Sequence, residues 1–300
     1  MARIEPRDMT HDEFPESTAS SPSMRVIEAD GTPRYGYPRL GIEYAHRSGR
    51  TLRLHIIIPP MPDALEGPGD AVFHTIAFVQ GSAWREQDLG ASLARLAEFG
   101  RRGYVIAIVE YRPSDVAPFP AQVEDAAAAV SFLRDHASEY HVDPDNIVMW
   151  GDSSGGHTTL MTLVGPDLGL RAFVDYYGPT DIGAMNDEPS IMDHAGPDSP
   201  EGMLIGGVDV PGHPDLVAPT VVMNHIPPAA TRHLAPLLIV HGSKDRLVPF
   251  GQSVLLNDAL VAAEQDVTFY QLRGADHGGH AFWAPPVLDL VDAFLRAHLR

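Results

Sequence analysis

Short apolar runs alternate with longer amphipathic stretches over most of this 300-residue chain, and this alternation constrains the fold more than any other feature. The runs are almost continuously apolar, which is typical of β-strands covered on both faces. The stretches between them carry apolar residues near helical spacing, for example Val123, Ala127, Val130 and Leu133. Strands that alternate with helices of this length predict an α/β fold with a mostly parallel, doubly wound sheet flanked by helices.

Six core strands and five helices are predicted on this basis. The strands are His74–Val79, Tyr104–Val109, Ile147–Trp150, Arg171–Tyr177, Pro236–His241 and Val267–Leu272. The helices are Gln87–Phe99, Pro120–Glu139, Ser154–Leu163, Pro249–Ala263 and Pro285–Leu299. Upstream of them, residues 52–56 alternate between apolar and polar side chains, which predicts a half-buried strand paired with residues 41–46 through the turn Ser48-Gly49.

Two segments depart from this rhythm. Residues 1–37 are rich in Pro, Ser, Glu and Asp without periodicity, and they predict an extended N-terminal arm ahead of one domain over residues 38–300. Residues 181–235 are rich in Pro, Gly and Met and separate two predicted core strands. Because a compact domain rarely contains so long an irregular connection, this segment predicts a cap or lid insertion.

The composition argues against several classes of partner and site. Lys and Arg number 21 against 40 Asp and Glu, and the net charge of −19 disfavours both nucleic acid and anionic membrane surfaces as partners. The chain has no Cys, which excludes disulfides, thiolate metal sites and a Cys nucleophile. Neither a secretory signal core nor an apolar run long enough to span a membrane is present, so we expect a cytoplasmic protein.

A Gly-x-Ser-x-Gly pentapeptide, Gly151-Asp152-Ser153-Ser154-Gly155, lies between a predicted strand and a predicted helix. Small residues on both sides of the Ser allow a sharp strand-to-helix turn that presents the hydroxyl of Ser153 above the sheet. The backbone N–H of Ser154 would then point to where an oxyanion forms. The pattern predicts a nucleophilic Ser, although the same spacing also occurs in ordinary tight turns.

A nucleophilic Ser needs a base and a carboxylate that orients the base. Asp245 and His277 follow the last two predicted strands, and the chain order Ser, Asp, His is the one found with this type of turn. Asp276 is a poorer orienting group, because neighbouring side chains usually point apart. His280 lies three residues from His277, but no third ligand is evident, and we expect neither a metal nor another cofactor.

The loop Gln80-Gly81-Ser82-Ala83-Trp84 follows the first core strand and has small residues at its centre. Backbone N–H groups in such a loop can approach a developing negative charge, and one preorganised donor lowers a barrier by roughly 2.7–4 kcal/mol. The loop is therefore a candidate oxyanion hole, with an ordinary strand-to-helix connection as the alternative.

These motifs together resemble the α/β-hydrolase carboxylesterases, in particular the hormone-sensitive-lipase-like esterases and the bifunctional feruloyl/acetyl-xylan esterases. The matching segments run from about residue 40 to the C-terminus and read GDSSGGH (151–157), EYRPS (110–114), FPAQVEDAAAAVSFLR (119–134), HGSKDRLVP (241–249) and GADHGG (274–279). The resemblance implies an α/β-hydrolase fold, a triad of Ser153, Asp245 and His277, and oxyanion donors at Ser82, Ala83 and Ser154.

The loop at Gln80 departs from the family, whose usual motif is His-Gly-Gly-Gly-Trp. The donors are backbone N–H groups, so Ser82 and Ala83 can replace Gly. Gln80 lacks the imidazole that normally stabilises the loop, and its side-chain amide is the expected substitute. Which pair of N–H groups acts is left open by the sequence.

The resulting expectation is a serine carboxylesterase that hydrolyses small neutral esters, with short-chain or aromatic acyl groups, through an acyl-enzyme intermediate. The same triad would serve an amidase, formamidase or small-peptide hydrolase, and a non-catalytic binding protein on the same scaffold is a third alternative. The expected partner is a small-molecule ester, and a homodimer remains open. Candidate pocket residues are Trp84, Met185 and Trp283, with Met192, Met203 and Phe282 as further apolar candidates.

Overall fold

The computed structural model describes residues 6–30, 32, 35–61 and 71–300. Its strands are β1 (Tyr37–Arg47), β2 (Arg50–Ile58), β3 (Phe73–Val79), β4 (Val105–Val109), β5 (Val142–Asp152), β6 (Phe173–Tyr176), β7 (Leu237–Gly242) and β8 (Val267–Leu272). Its α-helices are α1 (Leu93–Arg101), α2 (Ala121–Asp135), α3 (Ala137–Tyr140), α4 (Ser154–Val164), α5 (Pro200–Leu204), α6 (Pro214–Val217), α7 (Gly251–Ala262) and α8 (Pro285–His298). Short 3₁₀ helices occupy Leu89–Ser92, Ala218–Thr220, Val222–His225 and His280–Trp283.

The eight strands form one sheet in the order β1-β2-β4-β3-β5-β6-β7-β8. The strands from β4 to β8 along this order are parallel, while β2 is antiparallel to both β1 and β4. The predicted parallel core and the predicted β1–β2 hairpin are therefore both confirmed. Strand β4 lies on one side of β3, and β5 lies on the other side of β3. The direction in which successive strands are added therefore reverses, which creates a topological switch point between β3 and β5.

Both faces of the central strands are covered, which explains their continuous apolar runs. In β3, Ala77 and Val79 pack into one core cluster, whereas Ile76 and Phe78 pack into the other. Buried residues of α2, α4 and α7 line the first cluster, and those of α1 and α8 line the second. Helices therefore flank the sheet on both sides, as the alternating pattern predicts.

Several predicted element boundaries differ from the structure by one or two residues, and three larger differences have a local physical cause. The stretch Gln87–Phe99 begins as the 3₁₀ helix Leu89–Ser92 and becomes α-helical only at α1, because Asp88 accepts the N–H of Gly90 and starts a tighter turn. The stretch Pro120–Glu139 breaks at His136, where φ is −113°, between α2 and α3. Strand β5 is longer than the apolar run Ile147–Trp150, because strand pairing depends on backbone hydrogen bonds as well as apolar side chains.

The chain divides into two units, residues 1–32 and 33–300. Within the described part of the first unit, the N–H of Phe14 donates to the carbonyl of Thr10 at 3.1 Å and closes a turn. In the second unit, β1 begins at Tyr37, one residue before the predicted start of the domain. Across the described ranges, no helix combines the length and apolar character needed to cross a bilayer.

Residues 181–235 contain α5, α6 and two of the 3₁₀ helices, joined by turns. Apolar side chains of this segment, including Leu204 and Val217, form a small buried cluster with Trp84 of the loop after β3. The segment therefore packs against the same end of the sheet as that loop.

Candidate active site

The candidate site lies at the carboxyl ends of the parallel strands, beside the switch point. Val79 of β3 pairs with Gly151 of β5, so the loop that begins at Gln80 and the turn at Ser153 emerge side by side. Ligands of open α/β sheets bind in the crevice that such a reversal of strand order creates. The topology thus brings two of the predicted motifs together although about 70 residues separate them in the chain.

Ser153 occupies the sharp turn between β5 and α4 that the pentapeptide predicts. Its backbone has φ 54° and ψ −127°, a conformation that is strained for a residue with a side chain. The Ser153 N–H donates to the carbonyl of Tyr176 at 2.8 Å, which holds the turn against β6. At Gly155, a Cβ atom would lie 2.0 Å from the carbonyl oxygen of Val79, so only glycine permits this approach of helix to strand.

His277 bridges Ser153 and Asp245. Its Nε2 lies 2.9 Å from Ser153 Oγ, and its Nδ1 lies 2.8 Å from Asp245 Oδ2. The Asp245 side chain is buried, whereas that of His277 is 15% exposed. The structure therefore brings together the three residues predicted as a triad, with both hydrogen bonds at ordinary lengths.

The loop after β7 fixes the orientation of the Asp245 carboxylate. Its Oδ1 accepts the N–H groups of Leu247 and Val248, each at 2.9 Å, which leaves Oδ2 for His277. His241, which is fully buried, places its Nε2 3.3 Å from the same Oδ2. Burial alone would raise the pKa of Asp245, but hydrogen bonds from His241 and His277 hold it below its ordinary value, so the carboxylate stays ionised.

The two other carboxylates near the triad have different partners. Asp152 accepts the N–H of Gly81 at 2.6 Å and lies 3.5 Å from the guanidinium of Arg95, so its contacts hold the loop after β3 against the turn at Ser153. Burial raises the pKa of Asp152, although Arg95 opposes that effect. Asp276 binds Arg246 rather than the His277 ring, since its Oδ2 lies 2.7 Å from Arg246 Nε.

The three expected oxyanion donors differ in their hydrogen bonding. The N–H of Ser82 already donates to Ser154 Oγ at 2.9 Å, so the structure does not support the expectation that it is free for a substrate. No acceptor for the Ala83 N–H is found among the described residues, and Ser154 begins α4, where a backbone N–H has no partner within the helix. Ser82 differs from the other two because of the side chain of Ser154, whose hydroxyl oxygen accepts the Ser82 N–H. A residue without a side-chain acceptor at position 154 would leave that N–H unpaired.

Tyr111, which the sequence analysis did not single out, completes this arrangement. Its hydroxyl lies 2.9 Å from Ser82 Oγ and 3.1 Å from Ser154 Oγ, and it is fully buried. Burial raises the pKa of Tyr111 to about 12, so it stays protonated and available as a donor. The only sequence signal for it is its position inside the EYRPS segment after β4.

Gln80 stabilises the loop with its side-chain amide, in agreement with the expected replacement of the imidazole. Its Nε2 donates to the carbonyl of Asp88 at 2.8 Å, and its Oε1 accepts the hydroxyl of Ser92. Gln87 adds a second bridge, because its Nε2 donates to the Gln80 carbonyl at 2.8 Å and its Oε1 accepts the N–H of Tyr111. The loop is therefore preorganised by side-chain amides.

A cavity of about 420 Å³ opens above Ser153 and His277. Of the apolar pocket candidates, Trp84 and Met192 line it. The prediction is wrong for Met185, which is completely buried in the protein interior. It is also wrong for Trp283, whose ring stacks on Trp150 at 5.4 Å between centroids and does not border the cavity. Met203 and Phe282 do not line the cavity either. The sequence could not exclude these residues, because the direction of a side chain depends on tertiary packing.

Three charged residues in the cavity wall were missed by the sequence analysis: Arg95 of α1, and His194 and Glu201 from the segment 181–235. His194 Nδ1 lies 2.9 Å from Glu201 Oε1, and both side chains are almost fully buried. Their spacing of seven residues in an irregular segment gives no recognisable motif. Their pairing results from the fold of that segment.

Taken together, the parallel sheet, the strand-to-helix turn at Ser153 and the loops after β7 and β8 define the α/β-hydrolase class. The chain belongs to the BD-FAE family, whose model matches residues 65–260. The resemblance drawn from the sequence motifs is thereby confirmed.

Individual relatives agree with this assignment. The chain is 25% identical over 287 residues to the probable carboxylic ester hydrolase LipM of Mycobacterium tuberculosis (strain ATCC 25618 / H37Rv), with 87% of this chain and 63% of LipM covered. It is 31% identical over 130 residues to the probable isoprenylcysteine alpha-carbonyl methylesterase ICMEL1 of Arabidopsis thaliana, covering 43% of this chain and 25% of that protein. The chain thus spans less than two thirds of the length of these curated relatives.

Among solved structures, the chain is similar to a truncated form of a carbohydrate esterase from gut microbiota. The TM-score is 0.74 at 26% identity, with 89% of this chain and 99% of that chain covered. The α/β-hydrolase fold expected from the sequence is confirmed by this similarity together with the observed sheet.

Proposed function

We propose that the protein is a serine carboxylesterase that hydrolyses small neutral esters through an acyl-enzyme intermediate. The observation that carries the proposal is the unbroken hydrogen-bond chain from Asp245 through His277 to Ser153, which ends beside a cavity of about 420 Å³. Membership of the BD-FAE family and similarity to proteins described as ester hydrolases support the ester bond as the one cleaved.

In the acylation step, His277 Nε2 takes the proton of Ser153 while Oγ attacks the ester carbonyl carbon. Asp245 holds the proton on His277 Nδ1, so that Nε2 is free to act as the base, and it stabilises the imidazolium that forms. The imidazolium then protonates the leaving alcohol as the tetrahedral intermediate collapses to the acyl-enzyme. Water attacks the acyl-enzyme with the same base, and the carboxylic acid product is released.

The oxyanion of each tetrahedral intermediate is assigned to the N–H groups of Ala83 and Ser154. Both lie at the cavity that contains Ser153, and neither has an acceptor within the described part of the chain. Ser82 supports this pair indirectly, because its bond to Ser154 Oγ ties the loop to the start of α4. Preorganisation of this kind matters because the donors need no rearrangement as charge develops.

Residues 181–235 are proposed to act as a cap over the cavity. Met192, His194, Pro200 and Glu201 of this segment contribute to its wall, together with the loop of residues 80–84. With Trp84, they limit the space to that of a small ester. The N-terminal arm has no role in this proposal.

Labelling with a fluorophosphonate tests the proposal directly, because the reagent phosphonylates only an activated Ser. We expect stoichiometric labelling of Ser153, located by mass spectrometry, and at least about 10⁴-fold slower hydrolysis of p-nitrophenyl acetate by the Ser153→Ala variant. Ser131→Ala, an exchange at an exposed site on α2, is the matched control and should retain full activity.

Two results would change the assignment. A folded wild-type protein that is neither labelled nor active would point to the binding-protein alternative. Faster cleavage of p-nitroacetanilide than of p-nitrophenyl acetate, with labelling intact, would point to an amidase.

A further inference from the structure

The backbone of the loop 80–84 is strained at the place where one of the oxyanion donors lies. Ala83 and Trp84 are consecutive residues of this loop, and their φ angles are 56° and 52°. A side chain makes this left-handed conformation unfavourable, and it persists at a non-glycine residue only where surrounding contacts fix it. Ala83 carries one of the two N–H groups assigned to the oxyanion. The position of that N–H therefore depends on the contacts that hold the loop.

A closed set of hydrogen bonds connects the loop to the start of α4 through a buried tyrosine. The N–H of Ser82 donates to Ser154 Oγ at 2.9 Å. Tyr111, which is 1% exposed, places its hydroxyl 2.9 Å from Ser82 Oγ and 3.1 Å from Ser154 Oγ. The hydroxyl of Ser82 also donates to the carbonyl of Arg85 at 2.6 Å. We call the side chains of Ser82, Tyr111 and Ser154 the hydroxyl cluster.

The contacts determine which way each hydroxyl of the cluster donates. The carbonyl of Arg85 can only accept, so it takes the proton of Ser82 Oγ. Ser82 Oγ then accepts from Tyr111, which has no second proton to offer Ser154. Ser154 Oγ therefore donates to the Tyr111 oxygen while it accepts the N–H of Ser82. Every hydroxyl of the cluster gives one hydrogen bond and receives one, so removal of Tyr111 Oη leaves both serines with an unpaired group.

The position of Tyr111 in the fold limits what its hydroxyl can do. Ser82 and Ser154 border the cavity above the triad, whereas Tyr111 does not, so Tyr111 reaches a substrate only through the two serines. It follows β4, so the cluster joins the ends of three neighbouring strands, β3, β4 and β5. Glycine, the usual residue of the family motif at position 82, has no hydroxyl. The hydroxyl cluster therefore depends on the departure of this chain from that motif.

We infer that Tyr111 is a positioning residue for the oxyanion hole, which acts through Ser82 and Ser154 to hold the N–H of Ala83 where the oxyanion forms. This inference rests on the proposed function, since it concerns the same oxyanion. Loss of the Tyr111 hydroxyl should weaken binding of the tetrahedral intermediate. Binding of the planar ester should not change, because the hole is filled only when the negative charge develops.

The first measurement compares Tyr111→Phe with Tyr104→Phe in hydrolysis of p-nitrophenyl acetate. Tyr104 is the matched control, because it directly precedes β4 at the other end of the strand, is equally buried, and donates its hydroxyl to Asp292 at 2.8 Å. In Tyr111→Phe, we expect kcat to fall about tenfold, less than the roughly 10²-fold lost with a donor itself, and KM to stay within about twofold. Both constants of Tyr104→Phe should stay within about twofold of the wild-type values.

The second measurement uses two ketones of equal chain length to separate positioning from general damage to the site. With 1,1,1-trifluoro-2-hexanone, Ser153 Oγ forms a bond to the carbonyl carbon, its proton passes to His277, and the carbonyl oxygen becomes an oxyanion. The unfluorinated 2-hexanone binds as a planar ketone. In Tyr111→Phe, we expect the inhibition constant of the trifluoro ketone to rise about tenfold, while that of 2-hexanone stays within about twofold.

Ser82→Ala provides an independent variant, because it removes the acceptor of the Tyr111 proton. It should reproduce the selective loss of trifluoro ketone affinity, and the double variant should lose little more than either single one, since the two residues act as a unit. If Tyr111→Phe does not fold, Ser82→Ala alone decides the question by the same criterion.

Three results would overturn the inference: an unchanged inhibition constant of the trifluoro ketone, an equal loss of affinity for both ketones, or the same change in Tyr104→Phe. A wild-type protein that neither hydrolyses p-nitrophenyl acetate nor binds the trifluoro ketone would overturn the proposed function itself. The two failures are therefore distinguishable.

Discussion

Replacement of Asp245 by Asn is an informative perturbation because the structure dictates which way the new amide must face. Asp245 Oδ1 accepts the N–H groups of Leu247 and Val248, each at 2.9 Å. An NH₂ group at that position would oppose two donors, so Asn should keep its oxygen there. Its NH₂ group would then point at Nδ1 of His277.

The expected magnitude follows from the tautomer of His277. With an NH₂ group 2.8 Å from Nδ1, that nitrogen has to accept, and the ring proton moves to Nε2. A base that already carries a proton on Nε2 cannot receive the one from Ser153. Loss of the correct tautomer costs about 10⁴-fold in kcat, equivalent to about 5 kcal/mol in the activation barrier.

The assay is steady-state hydrolysis of p-nitrophenyl acetate by the wild-type, Asp245→Asn and Asp276→Asn proteins. Asp276 is the matched control, because it adjoins His277 in sequence but pairs with Arg246. We expect kcat of Asp276→Asn to stay within about threefold of the wild-type value. More than a tenth of wild-type activity in Asp245→Asn, or an equal loss in Asp276→Asn, would refute the assignment of Asp245 as the orienting group.

Two further predictions concern stability. Burial raises the pKa of Asp175 to about 8 against the opposing hydrogen bond from Gly178, so this carboxyl is protonated in the folded protein at neutral pH but ionised in the unfolded chain. Between about pH 4 and pH 8, the folded state therefore binds one proton more than the unfolded chain at this group. As the pH rises through this range, the free energy of unfolding should fall by up to about 1.4 kcal/mol per pH unit. Asp175→Asn should remove that contribution in urea denaturation at pH 5 to 8; parallel profiles for the two proteins would contradict the buried, protonated state. Gly155→Ala should lower the free energy of unfolding by about 3 kcal/mol, because the added Cβ would lie 2.0 Å from the backbone oxygen of Val79. An unchanged midpoint of urea denaturation would contradict this close approach of α4 to β3.

The sequence predicted the core of the sheet because its central strands are buried on both faces. A residue such as Phe78 or Ile108 has to be apolar wherever it points, so continuous apolar runs identify the strands without knowledge of their neighbours. Periodicity does not predict element boundaries equally well: it misses the 3₁₀ helix Leu89–Ser92 and the break at His136. Those details depend on single hydrogen bonds of side chains with the backbone, which periodicity does not encode.

The pocket shows the limit of prediction from composition. Trp84, Met185 and Trp283 are all large and apolar, but only Trp84 lines the cavity. Met185 is buried in the interior, and Trp283 packs on Trp150. A large apolar side chain is equally suited to a core and to a cavity wall, so the sequence cannot separate the two.

By itself, the sequence determined the parallel sheet and the order Ser153, Asp245 and His277, because each motif is a local strand end or turn with its own residue requirements. The tertiary structure decided which N–H groups are free, since Ser82 and Ser154 meet only when β3 and β5 become neighbours. It also decided the charge of the cavity wall. There, His194 and Glu201 pair because of the fold of the segment 181–235 itself. They reach the cavity wall because that segment packs beside the loop after β3, and such packing joins distant parts of the chain.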